Sequence, residues 1–233
     1  MARARRPSVR RRIGSTFLAG GMLVGVGALA AYALDRADLP VLAGRIPETA
    51  YDAYRTASAA AGSVTDACAV HWTVLAGIAQ VESRHGQIDA SRDLAANGDV
   101  DPPIRGRPLD GTGGTQTIRD TDGGTLDGDA TWDRAMGPLQ FIPTTWAELG
   151  RDGDGDGQAD PDNLYDAALT AVAHLCLREP GDYGRRHELR RALIAYNASG
   201  RYADDVLGWI DRYRSTPIDE VVEGQPASGV PAG

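Results

Sequence analysis

One helical stretch, Ala67 to Gly86, sets what the rest of the chain must build around it. Val70, Val74, Ile78 and Val81 recur at three- and four-residue spacing, with Leu75 beside them, which predicts a helix packed against a core. Glu82 lies four residues after Ile78 and projects from the same apolar stripe. Gly86 marks the helix stop one turn later. A carboxyl held among apolar side chains loses solvation, which favours its protonated form and suits a general acid near neutral pH. The other reading is a rim glutamate, or one paired with Arg84 or a later arginine.

The 233 residues are enough for one globular domain with extras. All 24 basic residues are arginine, and six of them (Arg3, Arg5, Arg6, Arg10, Arg11, Arg12) precede the first acid, Asp35. From Asp35 onward 18 arginines face 32 acids, a formal charge of −14, which excludes nucleic acid as a partner because phosphate binding needs a basic face. Ile13 to Leu34 is an uncharged, mostly apolar run of 22 residues, long enough to span a bilayer. The basic segment 1–12 then stays in the cytoplasm and everything after Asp35 lies outside, in a single-pass cell-membrane protein. A cleaved signal peptide is the rival, since Ala31-Tyr32-Ala33 resembles a cleavage site, and the product would then be secreted. Cys68 and Cys176 suit an exported domain as a disulfide closing a loop of over 100 residues, with two buried free thiols as the alternative.

Residues 35–46 read as a juxtamembrane linker, and Pro47 and Glu48 open a helix expected to run through Ala61. From Gln87 to Asp133 helical periodicity gives way to glycine, aspartate, threonine and proline. This long region is expected to be loops with one small β-hairpin around Thr115 to Arg119, either a solvated excursion or a wall of a cleft. Helices return at Thr144 to Leu149, Tyr165 to Leu177, Glu188 to Tyr196 and Ala203 to Tyr213. Residues 47–214 are thus one mainly α domain, and 215–233 read as a disordered tail.

Three short blocks stand in order: VES at Val81–Ser83, AMGPLQFIP at Ala135–Pro143 and AYN at Ala195–Asn197. Gly137 and Pro138 fix a tight backbone path that aims Gln140 from a rigid turn, and an amide both donates and accepts, as sugar recognition requires. No second carboxylate has a fixed place opposite Glu82. Hydrolases that use two need them about 5–5.5 Å apart when retaining, or about 6.5–9.5 Å apart when inverting. Together the blocks resemble the lytic transglycosylases, lysozyme-like enzymes that cut peptidoglycan, and among them the membrane-bound lytic murein transglycosylase B family. The resemblance runs from Pro47 to Tyr213 and implies a lysozyme-like fold. It implies Glu82 as catalytic acid, with Ser83 after it, Gln140 and Phe141 of the glutamine-phenylalanine block, and Tyr196 and Asn197 lining the cleft. The implied reaction cleaves the β-1,4 bond from N-acetylmuramic acid to N-acetylglucosamine and closes a 1,6-anhydro sugar. The implied partners are glycan strands and other cell-wall enzymes, and the chain is expected to be a monomer. A muramidase that uses water, or a non-catalytic peptidoglycan-binding module, are the competing readings.

A fourth motif is independent of these. In DGDGDGQADPDN, Asp152, Asp154, Asp156 and Gly157 match the opening of an EF-hand loop, with Gln158 placed to offer its carbonyl and Asp160 at position nine. Asn163 stands where the bidentate glutamate belongs, so Asp162 or Asp166 would have to complete a calcium shell. His71, His85, His174 and His187 lack zinc spacing. His85 reads as an exposed helix-end residue, or one that adjusts Glu82. Of the four tryptophans, Trp132 in the glycine-rich region is the candidate for sugar stacking.

Overall fold

The computed structural model describes residues 44–66, 68–89 and 91–223. The expected membrane-spanning or signal segment, 13–34, lies outside the described residues, as does most of the 35–46 linker. Among the described residues no helix is long and apolar enough to cross a membrane.

Among the described residues eight helices and four very short strands follow one another. Helix α1, Glu48–Ala59, presents Ala50, Ala53, Tyr54 and Ala57 to the core and stops two residues earlier than expected, with α2, Ala61–Val64, as a separate turn. Helix α3, Trp72–Ser83, carries Glu82. It starts five residues later than the apolar pattern implied, because His71 is extended and its ring accepts from the Thr73 backbone N–H as a cap. The strands form two antiparallel pairs: β1, Asp93–Leu94, with β2, Val100–Asp101, and β3, Arg105–Pro108, with β4, Arg134–Met136. The hairpin expected at Thr115 to Arg119 is replaced by isolated bridges from Thr117 to Asp110 and from Arg119 to Trp132. Helix α4 is Pro143–Leu149, with its proline in the first turn, where the missing N–H costs nothing. The core helix α5, Leu164–Arg178, is capped by the Asn163 side chain, α6 is Arg186–Tyr196, and α7, Gly200–Ser215, is capped by Ser199.

Helix α3 packs on α1 and α7, while α5 packs on α1, α4 and α6. A Cβ at residue 77 would sit 2.7 Å from Ile210 Cγ1, so Gly77 is what lets α7 press against α3. Cys68 and Cys176 are bonded, tying the approach to α3 to the end of α5 across 108 residues of sequence. In the chain-entropy view such a closure stabilises by about 4–5 kcal/mol.

Of the expected disordered tail, 215–233, the part from 224 lies outside the described residues, while Ile218–Val221 form α8 and Val222 bridges Ile46. The Ile46 N–H donates to Val221 and the Glu223 N–H to Ile46, while Arg45 donates to the Val222 carbonyl, so the two ends of the domain leave it side by side.

Candidate active site

Glu82 sits on the last turn of α3 with its side chain turned inward, and the residue is 8% exposed. Burial pushes its carboxyl up to about 8, so it holds its proton at neutral pH. Tyr202, at the start of α7, lies beside it and pulls in the opposite direction. The geometry stops short of a formed hydrogen bond: Glu82 Oε1 and the Tyr202 hydroxyl are both buried without a partner. Burial therefore dominates. No ion pair joins Glu82 to Arg84 or to any other described arginine, which removes the bland reading of this acid.

Opposite α3 runs the turn Gly137-Pro138-Leu139-Gln140. Each of its first three carbonyls is taken by a side chain. Gln140 Nε2 donates to Gly137 O at 2.9 Å, Ser83 Oγ to Pro138 O at 2.6 Å, and the Tyr196 hydroxyl to Leu139 O at 3.0 Å. The turn is thus pinned to the end of α3 and to the end of α6. Gly137 is obligatory: a Cβ there would lie 1.7 Å from the Pro161 carbonyl oxygen, and φ is +69°. Gln140 itself is left-handed, with φ at +52°, a conformation that costs a residue bearing a Cβ and recurs at functional sites. Its Nε2 is spent on the turn, leaving Oε1 beside Gly106 as the acceptor that faces outward from the bond.

The remaining expected residues are placed as follows. Ser83 is buried and also accepts from the Gly86 N–H, so its hydroxyl is used on both sides. Phe141 is fully buried, its ring 5.6 Å from those of Trp146 and Tyr196. Tyr196 is fully buried, with Glu82 close enough to raise its phenol further after burial has done most of that work. Its ring stacks parallel to Tyr202 at 6.4 Å and meets His174 edge-on at 4.8 Å. Asn197 is buried at the end of α6. The structure therefore brings Glu82, Ser83, Gln140 and Tyr196 together.

One residue escaped sequence reasoning, and another lies elsewhere than expected. Tyr202 faces Glu82; the available signal was a tyrosine opening the buried 202, 206, 210 stripe of α7. His85 is not an exposed helix-end residue but 1% exposed, because Arg84 and His85 are both left-handed and swing the ring under the helix. Tyr213 donates to Gln80 Oε1, so its oxygen accepts from His85 Nε2–H, and Nδ1 accepts from Tyr54. Burial takes the ring down to about 3, so this strut stays neutral.

Behind the turn lies the acidic loop. Asp152, Asp154 and Asp156 are exposed and their carboxylates lie within 4.8 Å of one another. Gln158 and Asp160 follow on the same exposed stretch, and Asp160 Oδ1 accepts from the Asp162 N–H. Asn163, at the twelfth position, is engaged in hydrogen bonds: its amide donates to Asp154 Oδ2, to Asp99 and to the Asn97 carbonyl. Asp166 is also engaged, accepting from the N–H groups of Gly153, Asp154 and Asp160. Asp162 is held by Arg105 through two bonds. A second acidic group, Asp120, Asp122 and Asp133, lies in the glycine-rich region, where Trp132 carries Arg119 3.9 Å over its ring.

Residues 116–181 match the model of a family described as the transglycosylase SLT domain. That segment holds the turn with Gln140, α4, the acidic loop and all of α5. Over it the chain is similar to lysozyme-like transglycosylases, the class that cleaves peptidoglycan. Glu82, Tyr196 and Tyr202 lie outside the matched residues. No curated protein and no solved structure matches the chain.

Proposed function

We propose that this protein is a lytic transglycosylase of the membrane-bound lytic murein transglycosylase B type, cutting the β-1,4 bond between N-acetylmuramic acid and N-acetylglucosamine. One observation carries the reading. Among the described residues, Glu82 is the buried carboxyl with an oxygen that has no partner, whereas the buried Asp127, Asp133 and Asp166 each accept backbone N–H groups. A protonated acid with nothing to satisfy it is poised to donate. Glu82 gives its proton to the glycosidic oxygen as that bond breaks. As carboxylate it then takes the proton from the muramoyl 6-hydroxyl, whose oxygen closes on C1 to form the 1,6-anhydro ring. Acid and base are one group in successive steps, so no second carboxylate is needed.

Gln140 Oε1 is the acceptor offered to the sugar, and Tyr202 steadies the Glu82 carboxylate in the step where it is charged. Ser83 and Tyr196 act through the turn they pin, and Phe141 and Asn197 through the packing behind it. The acidic loop is assigned to calcium as a structural ion, held by Asp152, Asp154, Asp156, the Gln158 carbonyl and Asp160. Its three clustered carboxylates are the donor set a hard cation prefers. We place the domain outside the cytoplasm, tethered through 13–34 or released by cleavage there, and working as a monomer on glycan strands, beside other wall enzymes.

The test is product analysis. Wild-type protein digesting purified wall should release muropeptides with anhydro ends, and Glu82→Gln should release none while folding normally. Reducing ends in place of anhydro ends would assign a water-using muramidase. Near-normal release by Glu82→Gln would remove the mechanism.

A further inference from the structure

In the described residues almost every arginine is engaged. Most pair with a carboxylate, as Arg105 does with Asp162; others stack on an aromatic ring, as Arg119 does on Trp132, or donate to oxygens, as Arg151 does. Arg84 and Arg107 are the exceptions, with no side-chain hydrogen bond, ion pair or ring contact among the described residues.

Arg84 also occupies a costly backbone position. It caps α3 in the left-handed conformation, φ 54° and ψ 50°, where glycine is the residue that fits freely. His85 follows at φ 61°. For His85 the cost is offset by its bonds to Tyr54 and Tyr213. For Arg84 the backbone is held by the cap itself, its N–H donating to the Gln80 carbonyl and its own carbonyl accepting from the Gln87 N–H, while its side chain is exposed and has no partner. The turn that carries it abuts the turn that carries Gln140, since a Cβ on Gly86 would be 3.8 Å from Pro138 Cβ. An exposed guanidinium without a partner, on a rigid capped turn that abuts the Gln140 turn, points to a ligand as the missing partner.

We propose that Arg84 is a specificity-determining residue that anchors a carboxylate on the side arm of the muramoyl sugar. This rests on the transglycosylase reading above. The arm branches from the ring whose glycosidic oxygen must reach Glu82, and the turn carrying Arg84 is the one that packs on the Gln140 turn. The planar guanidinium takes a carboxylate through two parallel N–H···O bonds. Two sources share that chemistry: a carboxylate of the peptide carried by the arm, and the lactyl carboxylate exposed when the peptide is removed.

Arg107 provides the internal control. On β3, Gly106 faces Gln140, so strand alternation turns Arg107 to the opposite face, where Nη1 lies 3.3 Å from the place a Cβ on Gly113 would take.

Binding is measured in the Glu82→Gln background, which needs no turnover. Three ligands are used: peptide-bearing glycan strands, strands stripped of peptide, and N-acetylglucosamine oligomers, which carry no carboxylate. Arg84→Gly relieves the backbone, so it should melt no lower than its parent. It should nevertheless bind a carboxylate-bearing strand roughly tenfold more weakly at low salt, the size of a charge-assisted hydrogen bond. The deficit should shrink as salt is raised. Arg84→Lys should recover part of it, and Arg107→Ala should match the parent. A loss confined to peptide-bearing strands assigns the peptide carboxylate, and one confined to stripped strands assigns the lactyl group. Equal loss on the neutral oligomers, no loss on either charged ligand, or an equal loss from Arg107→Ala overturns the proposal. If wild-type protein yields no anhydro ends, the transglycosylase reading fails, while the binding series still judges Arg84. A parent that binds neither kind of strand sinks both.

Discussion

The chain carries carboxyl groups in two opposite ways. On α3 a single one, Glu82, is buried and lacks a partner for one oxygen. In the loop before α5, Asp152, Asp154 and Asp156 are exposed and crowded within 4.8 Å of one another. A third group marks the middle ground: Asp166 is 1% exposed yet accepts three backbone N–H bonds, so it organises the loop and is spent in doing so. Burial alone therefore does not make a reagent. Burial without hydrogen bonds does, because the protein then stabilises the neutral acid rather than its anion. Crowding in water has the reverse consequence, since like charges at that distance favour whatever cation neutralises them.

If the contrast is right, the buried acid should dominate the chemistry and the exposed ones should hardly touch it. Glu82→Gln should lower glycan cleavage by about 10³-fold or more, within the range ascribed to positioned acids and bases. Asp156→Asn should leave the rate within about threefold when calcium is present, because an exposed loop ligand touches no reacting atom. A large rate loss in Asp156→Asn would break the comparison.

The pH dependence sharpens it. In the mechanism proposed above Glu82 starts the reaction protonated, and it sits at about 8 in the folded protein. Turnover should thus fall about tenfold per pH unit above that value, and the limb should belong to Glu82 alone. His85 and His174, taken by burial to about 3 and about 4, stay neutral across this range and add no limb of their own. A steep fall centred near pH 6.5 would point to a histidine instead.

Stability should move with the opposite sign from the usual carboxylate. The folded protein binds the Glu82 proton more tightly than the unfolded chain does, with about 8 against the 4.5 of a free glutamate. Below 4.5 both states are protonated and the group contributes no penalty. Between 4.5 and 8 the unfolded chain ionises and the folded one does not, so wild-type stability declines as pH rises, and above 8 the penalty is constant. Relative to wild type, Glu82→Gln should gain up to about 4 kcal/mol across that window, read from urea midpoints at pH 4.5 and pH 8. No pH dependence in the difference would mean that the carboxyl is solvated.

How much of this was legible beforehand differs between the two regions. The apolar spacing around Glu82 showed that the acid faced the core, because a helix has one period and burial follows from it. It did not show that Arg84 and His85 turn left-handed, since the compensation for His85 comes from Tyr54 and Tyr213, 31 residues before it and 128 after. The turn at Gln140 was visible from glycine and proline, but its pins, Ser83 and Tyr196, act on carbonyls 55 and 57 residues away. Tyr202 was hidden for the same reason. The strands were missed because β1, β2 and β4 are two or three residues long, too short to display alternation. In the acidic loop the spacing of aspartates was plain, while the use of Asn163 as helix cap and donor to Asp154 required the fold.

That use of Asn163 sets the smallest expected effect. An amide that donates to Asp154 Oδ2 cannot also supply the two oxygens a glutamate would bring at the twelfth position, so affinity should lie at the weak end for such loops, about 10⁻⁴–10⁻³ M. At ten times the dissociation constant the linkage gain is about 1.4 kcal/mol, and a domain of this size should melt about 3–6 °C higher in calcium than in chelator. Asp156→Asn should shrink that shift. The loop meets the turn that carries Gln140 where Gly137 packs on Pro161 and where Arg105 grips Asp162, so the same titration can be followed as glycan affinity. A melting temperature that ignores millimolar calcium would leave the three aspartates as a solvated surface, and the exposed half of the comparison would lose its function while the buried half kept its own.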